Sequence, residues 1–138
     1  MKKSILYLSL FFISLLVISG CFKEEINELS NEDLLNIIKP EIDIYCDTLD
    51  SEATYSGCPA CKGWELDTFQ EVSELPEISS AVNYNEYTMD KVDGDYILNI
   101  NLNIFYGWNT HTGHSNLSFV IDKESNIIDK YLQEKECL

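Results

Sequence analysis

The chain has 138 residues and a formal net charge of −15, from nine lysines and twenty-four acidic residues with no arginine. So acidic a composition excludes phosphate-backbone recognition and electrostatic docking on anionic lipid, both of which need a basic surface. Hydrophobic residues at 45% suffice for a packed core, and the length suits one domain.

Met1-Lys2-Lys3 opens the chain with positive charge, and Ile5 to Ile18 then runs fourteen positions without any. That run fits the ~7–15 residues of a signal-peptide core and falls short of the ~20 a spanning helix needs. It meets Ile18-Ser19-Gly20-Cys21, an aliphatic residue, two small residues and a cysteine. The motif resembles the lipobox of bacterial lipoproteins, whose small residues let a signal peptidase draw extended backbone into a narrow site. The resemblance implies that residues 1–20 are a signal peptide and that the Cys21 thiol carries a diacylglyceryl group, with fatty acyl chains such as palmitate. The mature chain would then be held by lipid at the extracytoplasmic face of a cell membrane or outer membrane. Lys23, Glu24 and Glu25 end the apolar run just past Cys21, which favours cleavage over an anchor helix. Two acyl chains anchor stably, at ~0.8 kcal/mol per buried methylene.

Removing residues 1–20 leaves 118 residues with seven lysines against twenty-four acids, a net charge near −17. Such a surface means solubility first and a cationic partner second. Residues 21–29 read as a lipidated tether and 30–138 as a single domain. Ser30 is placed to cap a helix, with Asp33 three residues on as the capping-box acid. Leu34, Leu35, Ile38, Ile42 and Cys46 follow at helical spacing, predicting a helix over 31–49 that Pro40 should kink or split. Residues 50–63 lack periodicity and read as a loop. Trp64, Leu66, Phe69, Val72 and Leu75 suggest a second, shorter helix ending before Pro76.

Beyond Val82 the period becomes two. Leu98, Ile100, Leu102 and Ile104 alternate with Asn99, Asn101 and Asn103, a half-buried strand. Val92-Asp93-Gly94-Asp95 before it is a hairpin turn, with a partner strand over about 83–92. A loop from Gly107 to Ser115 leads to Leu117, Phe119 and Ile121, and a turn at 123–126 returns the chain through Ile127 to Leu132. The predicted fold is α+β, with one or two N-terminal helices packed on a four-stranded antiparallel meander. The arrangement is similar to cystatin-like and nuclear-transport-factor-like folds in architecture, and that likeness transfers no site residues.

Four cysteines remain: Cys46, Cys58, Cys61 and Cys137. Outside the cytoplasm they predict disulfides, with Cys46 joined to one of Cys58 or Cys61 and Cys137 to the other. Cys58-Pro59-Ala60-Cys61 also resembles the redox motif of glutaredoxins, which implies a thiol-disulfide oxidoreductase. That chemistry needs a strand leading in and a helix N-terminus lowering the first thiol's pKa, and the polar stretch 48–57 supplies neither. His111 and His114 in the predicted loop suggest a metal or small-ligand binder, the polar tip of a hairpin being the plainer reading. Trp108 beside them is expected to project as a protein-binding anchor. No catalytic signature and no cofactor motif stands out. The leading expectation is therefore a non-enzymatic, lipid-anchored binding or inhibitor-type module with a protein partner and no nucleic acid. Cys21→Ala should leave the precursor uncleaved and unlabelled when cells are fed radioactive palmitate; normal processing of that variant would remove the lipoprotein assignment.

Overall fold

A computed structural model of the chain describes residues 27–52, 57–61, 64–75, 84–106 and 111–137. Among the described residues the one α-helix, α1, spans Asn31–Glu52. The first turn closes as the sequence suggests. Ser30 donates to Asp33 Oδ2 from its N–H (3.0 Å) and its hydroxyl (2.6 Å), and the Asp33 N–H donates back to Ser30 Oγ at 3.2 Å. The capping box thereby occupies amides that have no partner inside the helix. Pro40 does not divide α1, which runs through it as one element. The proline lies on the exposed side, while Ile38 before it and Ile42 after it are fully buried and hold both halves on the sheet.

After α1 come β1 (Pro59–Ala60), a 3-10 turn at Leu66–Thr68, β2 (Phe69–Glu71), β3 (Asn85–Val92), β4 (Asp95–Tyr106), β5 (His111–Ile121) and β6 (Ile127–Leu132). The sheet order is β2-β3-β4-β5-β6, with β1 also paired to β4. The described residues are thus α+β, with one helix on a mostly antiparallel sheet of six strands rather than four. β3 to β6 form the consecutive antiparallel run, and β2 adds to it in parallel through Phe69 opposite Asn85.

The second predicted helix is replaced by the 3-10 turn and β2. Thr68 Oγ1 donates to the Glu65 carbonyl at 2.6 Å and so tightens the turn, after which the Val72 N–H donates to the Tyr87 carbonyl at 2.9 Å. A segment this short makes a marginal helix on its own, and pairing with β3 satisfies its backbone instead. The Asp-Gly turn is as expected: Asp93 and Gly94 both take positive φ, 54° and 94°, the combination a two-residue hairpin of matching twist requires.

One face of the sheet carries Tyr87, Tyr96, Leu98, Ile100, Leu102, Ile104, Leu117, Phe119 and Ile121. These are buried with Leu34, Leu35, Ile38, Ile42 and Leu49 of α1 in a single cluster. Full burial of each large aliphatic side chain contributes about 2 kcal/mol. The start of the domain is tied down before the helix: the Leu29 N–H donates to Tyr96 Oη at 3.0 Å and Glu28 pairs with Lys91 at 2.6 Å.

Two exposed turns depend on ionised carboxylates. Ser30 holds the Asp33 carboxyl below its usual pKa by hydrogen bonding, and the Asn126 amide does the same for Asp122. A folded-state pKa below the unfolded one adds stability that is complete above the unfolded value, about pH 4, and is lost as pH falls through the lowered folded value. Denaturant midpoints measured from pH 6 down to pH 2 should therefore fall below about pH 4, and Asp122→Asn should flatten that decline.

Candidate functional site

Cys46, Cys58, Cys61 and Cys137 form two disulfides, Cys46–Cys61 and Cys58–Cys137. The helical stripe delivers Cys46 to the core side of α1, and its partner Cys61 is buried beside it. Between Cys58 and Cys61 lies β1, whose Pro59 and Ala60 pair with Tyr106 and Phe105 at the end of β4. Asp50 Oδ1 accepts the Cys61 N–H at 2.9 Å, so the last turn of the helix also holds this segment. The Cys-Pro-Ala-Cys stretch is therefore a short strand with its two sulfurs bonded to different partners.

The second disulfide fixes the C-terminal segment to the β1 stretch, and a buried hydrogen-bond relay ties that segment to α1 further in. Tyr45 Oη donates to the Gln133 carbonyl at 2.7 Å and accepts from Ser115 Oγ. A phenol has one proton, so donation to the carbonyl assigns the hydroxyl of Ser115 as the other donor. Burial raises the Tyr45 pKa and keeps the phenol neutral. Ser115 is fully buried, whereas the sequence placed it in an open loop.

This packing shapes a trough between the outer flank of α1 and β6 with its tail. One cleft of about 510 Å³ is lined by Ile44, Thr48, Leu49 and Glu52 of the helix and by Leu132 to Glu136. A second, of about 300 Å³, is lined by Glu41 and by Ile127 to Lys130. Lys130 Nζ reaches Glu41 Oε2 at 2.6 Å, and burial lowers the pKa of the Lys135 ammonium. Ile44 is 62% exposed and Ile128 54%, and Tyr131 stands 60% exposed on the same edge strand. The sequence reading missed the trough. Its traces were Ile44, an apolar residue off the buried stripe, and the tandem Ile127-Ile128, which alternation cannot bury together.

The sites singled out in the sequence are distributed differently. His111 and His114 lie in β5 rather than in a loop, at positions opposite Tyr106 and Asn103. β5 begins early because Gly113 and Ser115 occupy inward positions where the pattern expected apolar residues. Residues three apart in a strand fall on opposite faces, so the backbone does not bring positions 111 and 114 to one side. Trp108 and Cys21 lie outside the described residues. The other face of the sheet carries Asn99, Asn101 and Asn103, with Ser118 Oγ donating to Asn99 Oδ1 at 2.9 Å. On that face Glu86 Oε2 and Asn103 Oδ1 are buried acceptors without a hydrogen-bond partner among the described residues. No group of three or more metal-ligating side chains occurs among the described residues, and none of their helices is long and apolar enough to cross a membrane.

No protein-family model matches the chain, and comparison with curated proteins and with solved structures gives no match. The trough and its relay are accordingly judged on their own geometry. Tyr45→Phe removes the bond to Gln133 and leaves the Ser115 hydroxyl buried without its acceptor, at a cost of about 2 kcal/mol. The double variant Tyr45→Phe/Ser115→Ala should cost less than the two single changes summed, because the unsatisfied hydroxyl is gone. Additive losses in urea unfolding would show that the relay does not couple helix to tail.

Proposed function

We propose that the chain is a lipid-anchored extracytoplasmic protein that acts without catalysis by binding a cationic protein partner. The observation that carries this reading is the pair of disulfides, which occupies Cys46, Cys58, Cys61 and Cys137 and suits an oxidising compartment. The lipobox residues Ile18 to Cys21 and the mature net charge near −17 agree with it. Residues 1–20 are the signal peptide, Cys21 bears the lipid, and residues 21–29 lead to the domain.

An oxidoreductase reading would require Cys58 and Cys61 to cycle as a dithiol pair. Their bonds to Cys137 and Cys46 give them a stapling role, since each joins β1 to a distant part of the fold. A metal site on His111 and His114 is disfavoured by the odd spacing of those positions along β5. The likeness to cystatin-like and nuclear-transport-factor-like architectures remains one of layout, a helix across a curled sheet.

Protein from an oxidising compartment should show no free thiol on denaturation in the presence of a thiol reagent. Full reduction should lower Tm by several degrees or more, since each bridge constrains the unfolded chain by roughly 3–5 kcal/mol. Free Cys58 and Cys61 thiols in native protein, together with insulin-reductase activity, would replace the binding reading by the oxidoreductase one.

A further inference from the structure

We infer that the trough between α1 and β6 is the contact surface for that partner, and that it receives a cationic, amphipathic segment read through its side chains. The inference rests on the binding reading above and adds the place and the chemistry. Among the described residues five large apolar side chains are exposed, and two of them, Ile44 and Ile128, line the two clefts of this trough, one in each. Of the other three, Tyr84 and Val92 stand at the two ends of β3, and Tyr131 lies opposite Ser118 on the sheet face away from α1.

Charge selects the occupant. The Lys130 ammonium is engaged by Glu41, which leaves Glu52, Asp129, Glu134 and Glu136 against Lys135 along the trough. Apolar side chains set among four carboxylates offset by the single ammonium of Lys135 complement lysine or arginine interleaved with aliphatic residues. A second copy would bring the same carboxylates against themselves at a net charge of −15 per chain.

The backbone of β6 argues against strand addition. The Gln133 N–H donates to the Asn116 carbonyl, so the alternation of an antiparallel ladder turns the N–H groups of Lys130 and Leu132 to the open edge. Asp129 Oδ1 already accepts the Lys130 N–H at 2.9 Å, and a register shift at Val120/Ile121 bends the strand pair. Both are devices that guard an edge against another strand. Recognition therefore falls to the side chains of the trough.

The test is titration of the isotope-labelled, disulfide-bonded protein with a synthetic amphipathic Lys/Leu helix and with its Glu/Leu counterpart. The Lys/Leu peptide should shift amide resonances of residues 41–52 and 127–136, and the Glu/Leu peptide should not. Glu134→Lys with Glu136→Lys should weaken binding by about tenfold or more, while Glu74→Lys with Asp90→Lys, an equal change of net charge elsewhere, should stay within about twofold. Ile44→Ala, at an exposed helical position, should keep Tm and still weaken binding. Equal loss from both charge reversals, or shifts mapping to another face, would overturn this surface while leaving a cationic partner in place. Absence of any binding by the Lys/Leu peptide at low salt would count against the reading itself. Self-association through residues 41–52 and 127–136, seen by sedimentation, would assign the trough to a second copy and overturn the inference.

Discussion

β4 is longer than the strand that should cover its edge, and the rest of the structure answers that mismatch. It has twelve residues against eight in β3, and the last β3–β4 pair is Glu86 with Asn101. Beyond that point the backbone of residues 102–106 faces the core region with one neighbour, β5, and open groups on the other side. Buried amides must find partners. Asn85 supplies the first, its Oδ1 accepting the Asn103 N–H at 2.8 Å while its Nδ2 donates to Thr68 Oγ1 at 2.7 Å. β1 supplies the next, and a two-residue strand cannot hold itself there. The cysteines on either side of it bind it to α1 and to the C-terminus. The two disulfides thus complete a sheet edge as well as constrain the chain.

The same bridges offset a charge problem. A small chain of net charge −15 repels itself, and the described ion pairs lie on the surface, where solvent screening leaves each of them weak. Closing loops with separations of 15 and 79 residues removes chain entropy from the unfolded state worth about 3 and about 4.5 kcal/mol in the loop-closure account. Cys58 and Cys61 flank β1, so the two bridges share that short segment and link it to α1 at Cys46 and to the tail at Cys137. The acidic trough therefore borders a cross-linked part of the fold.

Features encoded over short distances were legible in the sequence. The Ser30–Asp33 box, the Asp93-Gly94 turn and the Leu98–Ile104 alternation each rest on neighbours within a few residues, and each appears in the structure. The helical stripe even oriented Cys46 toward its partner. What depended on distant pairing was not legible. Residues 69–71 became a strand because β3 lies beside them, and β5 started at His111 because Tyr106 lies opposite. Small inward residues at 113 and 115 hid that start from any hydrophobic count. Pro40 leaves the helix unsplit for a related reason: its local cost is outweighed by burial of Ile38 and Ile42, which only the packed sheet provides.

The trough was the least legible feature because it belongs to no single element. Its walls are a helix flank and a tail about eighty residues away, brought together by Tyr45 holding the Gln133 carbonyl and, through the β1 stretch, by the two disulfides. An acidic surface serves solubility wherever it lies, so charge alone gives no location. Exposed Ile44 and Ile128 work against solubility, and an edge guarded by Asp129 and a register shift has no need of them for packing. Local rules elsewhere in the fold agree with one another: capped helix, matched turn, alternating strands. A place where apolar exposure and concentrated carboxylates border a cross-linked frame departs from that agreement, and such departures are where binding is to be sought.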